Sequence, residues 1–575
     1  MKKIVFFTII IFSFLTIFAQ TNHSELLRII ENNPGVYVDV VVNSKEEVQK
    51  LMSHFSIEKS DVKKVDDQFY VKIWLTNIYI DQFIETAIPY QIDYKSMVSD
   101  NNTKVVNMAT TVDQMASWNR YPTYSVYLQM MSNFQTNFPY LCSIDTILAN
   151  TTRNHAILAA HITNPNSENQ VKPAFLYSAC MHGDEICGYT NMLRLIDYIL
   201  NNPNDSVVQK IFNNVELYIC PLENPDGTFP FNNNSVNNSV RSNAAGYDLN
   251  RSYPEAGNAT EPTVNIAEIN AMIAFVEAKS IMMSANFHGG AELYNYAWDS
   301  WTSSQREHPD TPWWIYIGDH FVDTLRVYSP STYFTGEGSV GSVTNGGDWY
   351  VVTGSKLDCL NYYHQCRDVT IEIASVKKTD TNQLPNYWNY LHRSLMHYIV
   401  ESTNGFAGIV TDTVSHEPIQ SLIFVNSHDN NQTSVFSHAE TGKYFRPIKG
   451  GNYSVTFSAV GYKSKTININ CMDGALFNLN VELVPNNFSV AESNLDQQIT
   501  IFPNPVSEFI KIQFDDQIQG IKNIALFSIN GNLIQSQHTL DSELIFDVKS
   551  LAKGVYFIKI DIGTETILKK VVISK

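Results

Sequence analysis

Seven cysteines in 575 residues are too few and too scattered to staple a fold together with disulfides. They stand at 142, 180, 187, 220, 359, 366 and 471, and the odd count leaves at least one thiol unpaired. Cys359 and Cys366 are near enough in sequence to close a short loop in an oxidising compartment. Cys180 and Cys220 end apolar runs, where a buried free thiol is expected. Basic residues are also scarce: 39 Lys and Arg against 57 Asp and Glu give a formal charge of -18, which disfavours nucleic acid as a partner. Charged side chains make up only 17% of a chain that is 44% hydrophobic, a balance that excludes long disordered or fibrous stretches. Long apolar runs are missing, with one exception. Lys2 and Lys3 precede a run from Ile4 to Phe18, with small Ala19 before Gln20, the layout of a secretory signal peptide over residues 1–19. An N-terminal anchor is the alternative reading, but the run is short for a permanent span. The expected product is exported, with no stable membrane span once the signal is removed.

What is present divides the chain into segments of different pattern. Over residues 20–107, Val36 to Val42 and Phe69 to Leu75 read as strands and Ser44 to Ser53 as a helix, a small α/β module. It ends in the polar stretch Ser99 to Lys104, a linker or cleavage point, and is either a removable pro-segment or a permanent packing domain. Over residues 108–402, buried strands such as Phe175 to Cys180, Glu216 to Cys220, Ile281 to Phe287 and Val369 to Ile373 alternate with helices such as Cys187 to Leu200. That alternation predicts an α/β domain with a mixed, largely parallel sheet flanked by helices. Residues 403–485 and 495–575 carry short strands separated by Gly, Asn and Pro, as two small all-β sandwich modules. In the second, Asn530 and Gly531 mark a hairpin turn.

Chemistry concentrates where the buried strands end, as ligand sites in open α/β sheets do. In Cys180-Met181-His182-Gly183-Asp184-Glu185 an imidazole and a carboxylate three residues apart can face one point. Catalytic zinc takes neutral imidazole nitrogen and carboxylate oxygen from three protein ligands and keeps a fourth position for water. His288, at the end of the Ser284 to His288 run and followed by two glycines, is the best third ligand. Two further arginines, Arg241 and Arg251, and Asn250 lie near the turn Asn224-Pro225-Asp226-Gly227 in sequence. Guanidinium groups grip carboxylate oxygens bidentately, as a site for a peptide's free C-terminus requires.

Taken together, HGDE at His182, NPDG at Asn224, RSNAAGYDLNR at Arg241, SANFHGG at Ser284 and VTIEIAS at Val369 resemble, in order, the motifs of the zinc carboxypeptidases. The form DLNR, with Asn250 nine positions after Arg241, leans toward the D, E and N subfamily, with a departure at Ser252. The resemblance implies one Zn2+ on His182, Glu185 and His288, with Glu372 as general base and Arg241 polarising the scissile carbonyl. It also implies that Asn250 and Arg251 hold the terminal carboxylate, that Tyr350 caps the substrate, and that Asp299 favours C-terminal Lys or Arg. Leu357, where a glutamine is expected, weakens that preference. Substrates would be peptide or protein C-termini. The alternatives are an inactive binding protein on this scaffold, or a zinc hydrolase acting on cell-wall peptides or acyl-amino acids.

Beyond the enzyme, Gly408-Ile409-Val410, Thr441-Gly442-Lys443-Tyr444 and Val460-Gly461-Tyr462 are similar to the transthyretin-like regulatory module of the same enzymes. Phe502-Pro503-Asn504-Pro505, Leu551-Ala552-Lys553-Gly554-Val555-Tyr556 and the Lys569-Lys570 tail resemble the C-terminal sorting domain of type IX secretion in Bacteroidetes. That likeness implies the type IX machinery as partner and a secreted or cell-surface destination.

Overall fold

The computed structural model describes residues 23–52, 54–58, 61–94, 106–168, 171–430, 432–486, 498–515, 517–518, 520–562 and 565–574. The signal-like run, the polar stretch at Ser99 to Lys104 and most of the stretch before residue 498 lie outside them. The chain forms two compact units. The first comprises Met1–Thr411, His416–Phe457 and Lys465–Glu482; the second comprises Asp412–Ser415, Ser458–Ser464 and Leu483–Lys575.

Within the first unit, an N-terminal module carries β1 (Val36–Val42), β2 (Val62–Val65), β3 (Gln68–Leu75) and β4 (Tyr90–Ile92) in the order β2-β3-β1-β4. All three pairings are antiparallel, with Val36 opposite Leu75. Alternate residues of β1 are buried, as the period-two pattern requires. Helices His23–Asn32 and Lys45–Met52 pack on this face through Leu26, Ile29, Val48 and Leu51. Ser44 and Glu47 form a capping box at the start of the second helix: Glu47 N donates to Ser44 Oγ (3.1 Å) and Ser44 N to Glu47 Oε2 (3.1 Å).

A short pairing of β5 (Met108–Ala109) with β6 (Tyr121–Pro122) leads into the central sheet. Its strands are β7 (Cys142–Leu148), β8 (Ile157–Ile162), β9 (Ala174–Ala179), β10 (Glu216–Cys220), β11 (Ile281–His288), β12 (Ala291–Tyr296), β13 (Val343–Asn345) and β14 (Arg367–Ala374), in the order β13-β12-β14-β11-β9-β10-β8-β7. The inner run β14-β11-β9-β10 is parallel, and antiparallel pairings appear toward both margins. Every residue of β9, β11 and β14 is buried, because helices cover both faces. Helices Cys187–Asn201, Thr311–Arg326 and Leu384–Glu401 share one apolar core with this sheet, and Ala267–Ala278 builds a second with Leu176, Tyr218 and Ile281. The expected mixed, largely parallel sheet is what forms.

Cys359 and Cys366, open to a short bridge in the sequence, are both free thiols. Cys359 faces Leu249, Tyr253 and Ile266, whereas the Cys366 thiol meets Ser284 Oγ at 3.1 Å, so the two belong to different cores.

The strands after Gly405 form two four-stranded sheets, and Tyr444 of one meets Phe457 of the other edge to face at 5.5 Å, as in a sandwich. Arg446 leaves this module to bond Asp310 through both terminal nitrogens (2.9 Å each), and Arg367 Nε meets the same carboxylate at 2.9 Å. In the second unit, a three-stranded and a four-stranded sheet enclose Ile510, Ile512, Leu526, Phe546, Ile558 and Val571. This is the second expected β module.

Candidate metal centre and peptide site

The site grows from the carboxyl ends of β9, β11 and β14. Cys180, directly after β9, takes φ +57°, a left-handed conformation that turns the chain sharply so that His182 and Glu185 face the sheet's end. The NPDG turn holds this corner. Asn224 Nδ2 donates to Met181 O (3.1 Å) and Arg241 O (3.3 Å), while its Oδ1 caps Gly227 N (2.9 Å). Gly183 lies so close to this turn that a Cβ there would sit 2.2 Å from Gly227 C, so no larger residue fits.

Three buried side chains meet at one point. His182 Nδ1 is 2.9 Å from Glu185 Oε1, His288 Nδ1 is 2.8 Å from Glu185 Oε2, and the two Nδ1 atoms are 3.0 Å apart. All three side chains are 3% exposed or less. The donor set suits zinc, and Asp248 Oδ1 faces His182 Nε2 at 3.0 Å, which turns the His182 Nδ1 lone pair inward. Asp248 Oδ2 also accepts Arg241 Nε at 2.8 Å, so one carboxylate positions both a ligand and the arginine. Burial alone would raise the Glu185 carboxyl, but the facing His182 and His288 hold it well below the usual carboxylate range. A cluster of this charge is stable only when a cation or protons balance it.

Glu372 stands opposite His288 in the parallel β11–β14 register. Burial first, then the charges of Glu185 and Glu58, push its carboxyl well above the ordinary range, and its Oε2 has no partner. Arg241 Nη2 is likewise buried without a partner. His182, Glu185, Arg241, Asn250, Arg251, His288, Asp299, Tyr350 and Glu372, the nine residues expected from sequence, line one narrow cavity. Asn250 Oδ1 accepts Lys356 N (3.0 Å), which commits the oxygen and leaves the Nδ2 end of the amide as a donor.

Residues 127–393 match the family model described as zinc carboxypeptidase, and residues 500–574 match that of a secretion system C-terminal sorting domain. Residues 127–393 are thus similar to a zinc carboxypeptidase domain. The chain is 25% identical to carboxypeptidase D of Homo sapiens over 453 residues, covering 72% of this chain and 32% of that protein. It is 30% identical to carboxypeptidase SOL1 of Arabidopsis thaliana over 317 residues, 54% of this chain and 61% of that one. The chain thus spans about a third of the length of carboxypeptidase D. A solved structure of thrombin activatable fibrinolysis inhibitor is also similar, at 12% identity and a TM-score of 0.46, covering 64% of this chain and 98% of that one.

At this cavity the N-terminal module supplies partners that sequence reasoning missed. Glu58 pairs with Arg241 Nη1, and with Lys377 Nζ at 2.9 Å. Ser56 Oγ donates to Asp248 Oδ2 (2.5 Å) and accepts Arg241 Nε (2.9 Å), and Arg251 Nη2 donates to Ile57 O (3.3 Å). Burial would raise the Glu58 carboxyl, but Lys377 and Arg241 lower it on balance. Between the ligands and Arg251 the remaining space is about 30 Å3, room for a water or two. No motif announces Glu58, because its contacts reach across more than 180 residues of sequence.

Asp299 accepts Asn295 Nδ2 at 2.9 Å, and burial with the nearby Asp358 pushes its carboxyl up to about 8. Leu357 is fully buried in the core and does not line the cavity.

Proposed function

We propose that the protein is an exported zinc-dependent carboxypeptidase that hydrolyses the last peptide bond of peptides or proteins. The reading is carried by the convergence of His182, Glu185 and His288 beside Glu372, Arg241, Asn250 and Arg251 in one cavity. Zinc held by the three ligands would polarise the scissile carbonyl and acidify the attacking water. Glu372 takes a proton from that water as its oxygen adds to the carbonyl carbon, and delivers it to the amine as the C–N bond breaks. Arg241 meets the charge that develops on the carbonyl oxygen, an interaction stronger in the transition state than in the substrate. Asn250 and Arg251 hold the terminal carboxylate, which restricts cleavage to the chain end, and Tyr350 covers the bound residue. Asp299, at the wall of the same cavity, supports a preference for C-terminal Lys or Arg, whose cation would draw its raised carboxyl into the ionised form.

The N-terminal module acts as a pro-segment in this reading. Glu58, Ser56 and Ile57 occupy the groups that a substrate's carbonyl and carboxylate would need, so the module must leave before a peptide can enter. The C-terminal sorting domain supports export by the type IX machinery to the medium or the cell surface.

The test uses one peptide with a free C-terminus and its C-terminal amide, offered to the protein after removal of residues 20–107. The proposal expects release of the terminal residue from the free acid alone, abolished by a chelator. Cleavage of both peptides at similar rates would rule out carboxylate-directed hydrolysis, and release from neither would favour a binding role.

A further inference from the structure

Among the described residues, two sets of three side chains could hold a metal ion, and only one lies in the peptide site. The second comprises Glu261, Cys359 and His364, whose ligand atoms all lie within 4.8 Å of one another. Cys359 stands midway along the helix Lys356–Tyr363 and His364 caps its C-terminal end, and Glu261 reaches them from the segment between Arg251 and helix Ala267–Ala278. The geometry points to a second, structural zinc site made of thiolate, imidazole and carboxylate.

Four observations carry this. The donors are the three types that zinc takes, and they are not alike in charge or shape as a chance acidic cluster would be. His364 has carboxylates at both ring nitrogens: Nε2 is 3.1 Å from Glu261 Oε1 and Nδ1 is 3.2 Å from Glu277 Oε1. An Nδ1–H directed at Glu277 leaves the Nε2 lone pair toward Glu261 and Cys359, the carboxylate–imidazole–metal arrangement in which the outer acid fixes the ligand tautomer. The Cys359 thiol is free and fully buried, yet it sits beside acidic groups rather than in a purely apolar core. Finally, Glu277 and His364 border an open cavity of about 480 Å3, which gives an ion and a coordinating water a route in.

Binding displaces the Cys359 proton to solvent, and Zn2+ then faces the thiolate, Glu261, neutral His364 and one water. Burial first, then the nearby carboxylates, hold the proton on Cys359, and those same charges attract a dication. The ion would fasten the segment following Asn250 and Arg251 to the helix whose first residue, Lys356, donates to Asn250 Oδ1. Zinc here therefore steadies Asn250 and Arg251 without touching substrate; that role rests on the proposed function, whereas the site itself does not.

The experiment is metal stoichiometry and Co2+ spectroscopy on the full chain. The wild type is expected to retain two zinc ions after dialysis, and its Co2+ form to show a thiolate-to-cobalt charge-transfer band in the near ultraviolet. Cys359→Ser should hold one ion and lose the band. His288→Ala should hold one ion and keep it, which separates the second site from the peptide site. Glu277→Gln, at an exposed position, should keep the band while weakening metal affinity at this site by about 10–100-fold. One ion per chain with no band in the wild type, or an unchanged count and spectrum in Cys359→Ser, would overturn the second site and leave a metal-free ion pair between His364 and its two glutamates.

Discussion

Individual side chains at this site were legible to different degrees, and the reason is the range of their contacts. His182 and Glu185 share one tight corner, so their spacing alone reveals that they can meet. Asp248 belongs to the same short segment as Asn250 and Arg251, yet its hold on His182 and Arg241 is visible only in three dimensions. Glu372→Gln keeps the shape of the site but cannot accept a proton, so turnover should fall by about 10²–10⁴-fold while zinc content stays the same. Metal analysis beside kinetics checks both halves. Asp299 makes a pH prediction. With its carboxyl pushed from 3.8 to about 8, the folded protein holds a proton between those values that the unfolded chain releases. That contribution to stability is fully present at acid pH and is lost as pH rises toward about 8. Asp299→Asn cannot ionise, so its melting temperature should fall less than wild type between pH 5 and 8 on thermal scans. Identical slopes would show that Asp299 is ionised in the folded state.

Strands and turns were the most readable scale. The runs at Phe175, Glu216, Ile281 and Val369 are mostly apolar and almost wholly buried because helices cover both faces of the sheet, and each formed the strand its sequence indicates. The bridge between Cys359 and Cys366 does not form because the end of helix Lys356–Tyr363 lies between them: Gln365 turns at φ +58°, and the two thiols sit in separate cores. At the HGDE corner, substitution of Gly183 by Ala would press a methyl against the Gly227 backbone. The expected cost is about 1–3 kcal/mol, seen as a lower denaturation midpoint with an accompanying loss of zinc.

At the scale of the whole chain, two contacts decide how the modules act, and neither could be read from sequence. Arg446 is fully buried between Asp310 and Asp429, with Arg367 on the first of these carboxylates. Removing one partner leaves the other charges buried and uncompensated, so Arg446→Met should destabilise the first unit by about 3–5 kcal/mol, measurable by denaturant unfolding. The second contact is Glu58 on Arg241 and Lys377. Glu58→Gln weakens that grip, and the intact variant should hydrolyse peptides faster than the intact wild type, with Arg241 and Lys377 unchanged. Equal rates in a progress-curve comparison would mean that the module does not restrain the site.

The central claim is that His182, Glu185 and His288 hold a zinc ion whose chemistry is completed by Glu372. Its most direct measurement is a zinc titration of metal-free protein lacking residues 20–107, run beside the Glu372→Gln variant, with terminal-residue release followed at each step. Zinc should restore turnover to the wild-type sequence while the variant binds the ion equally well and stays inactive; a variant that regains turnover in parallel, or a parent that zinc fails to revive, would contradict it.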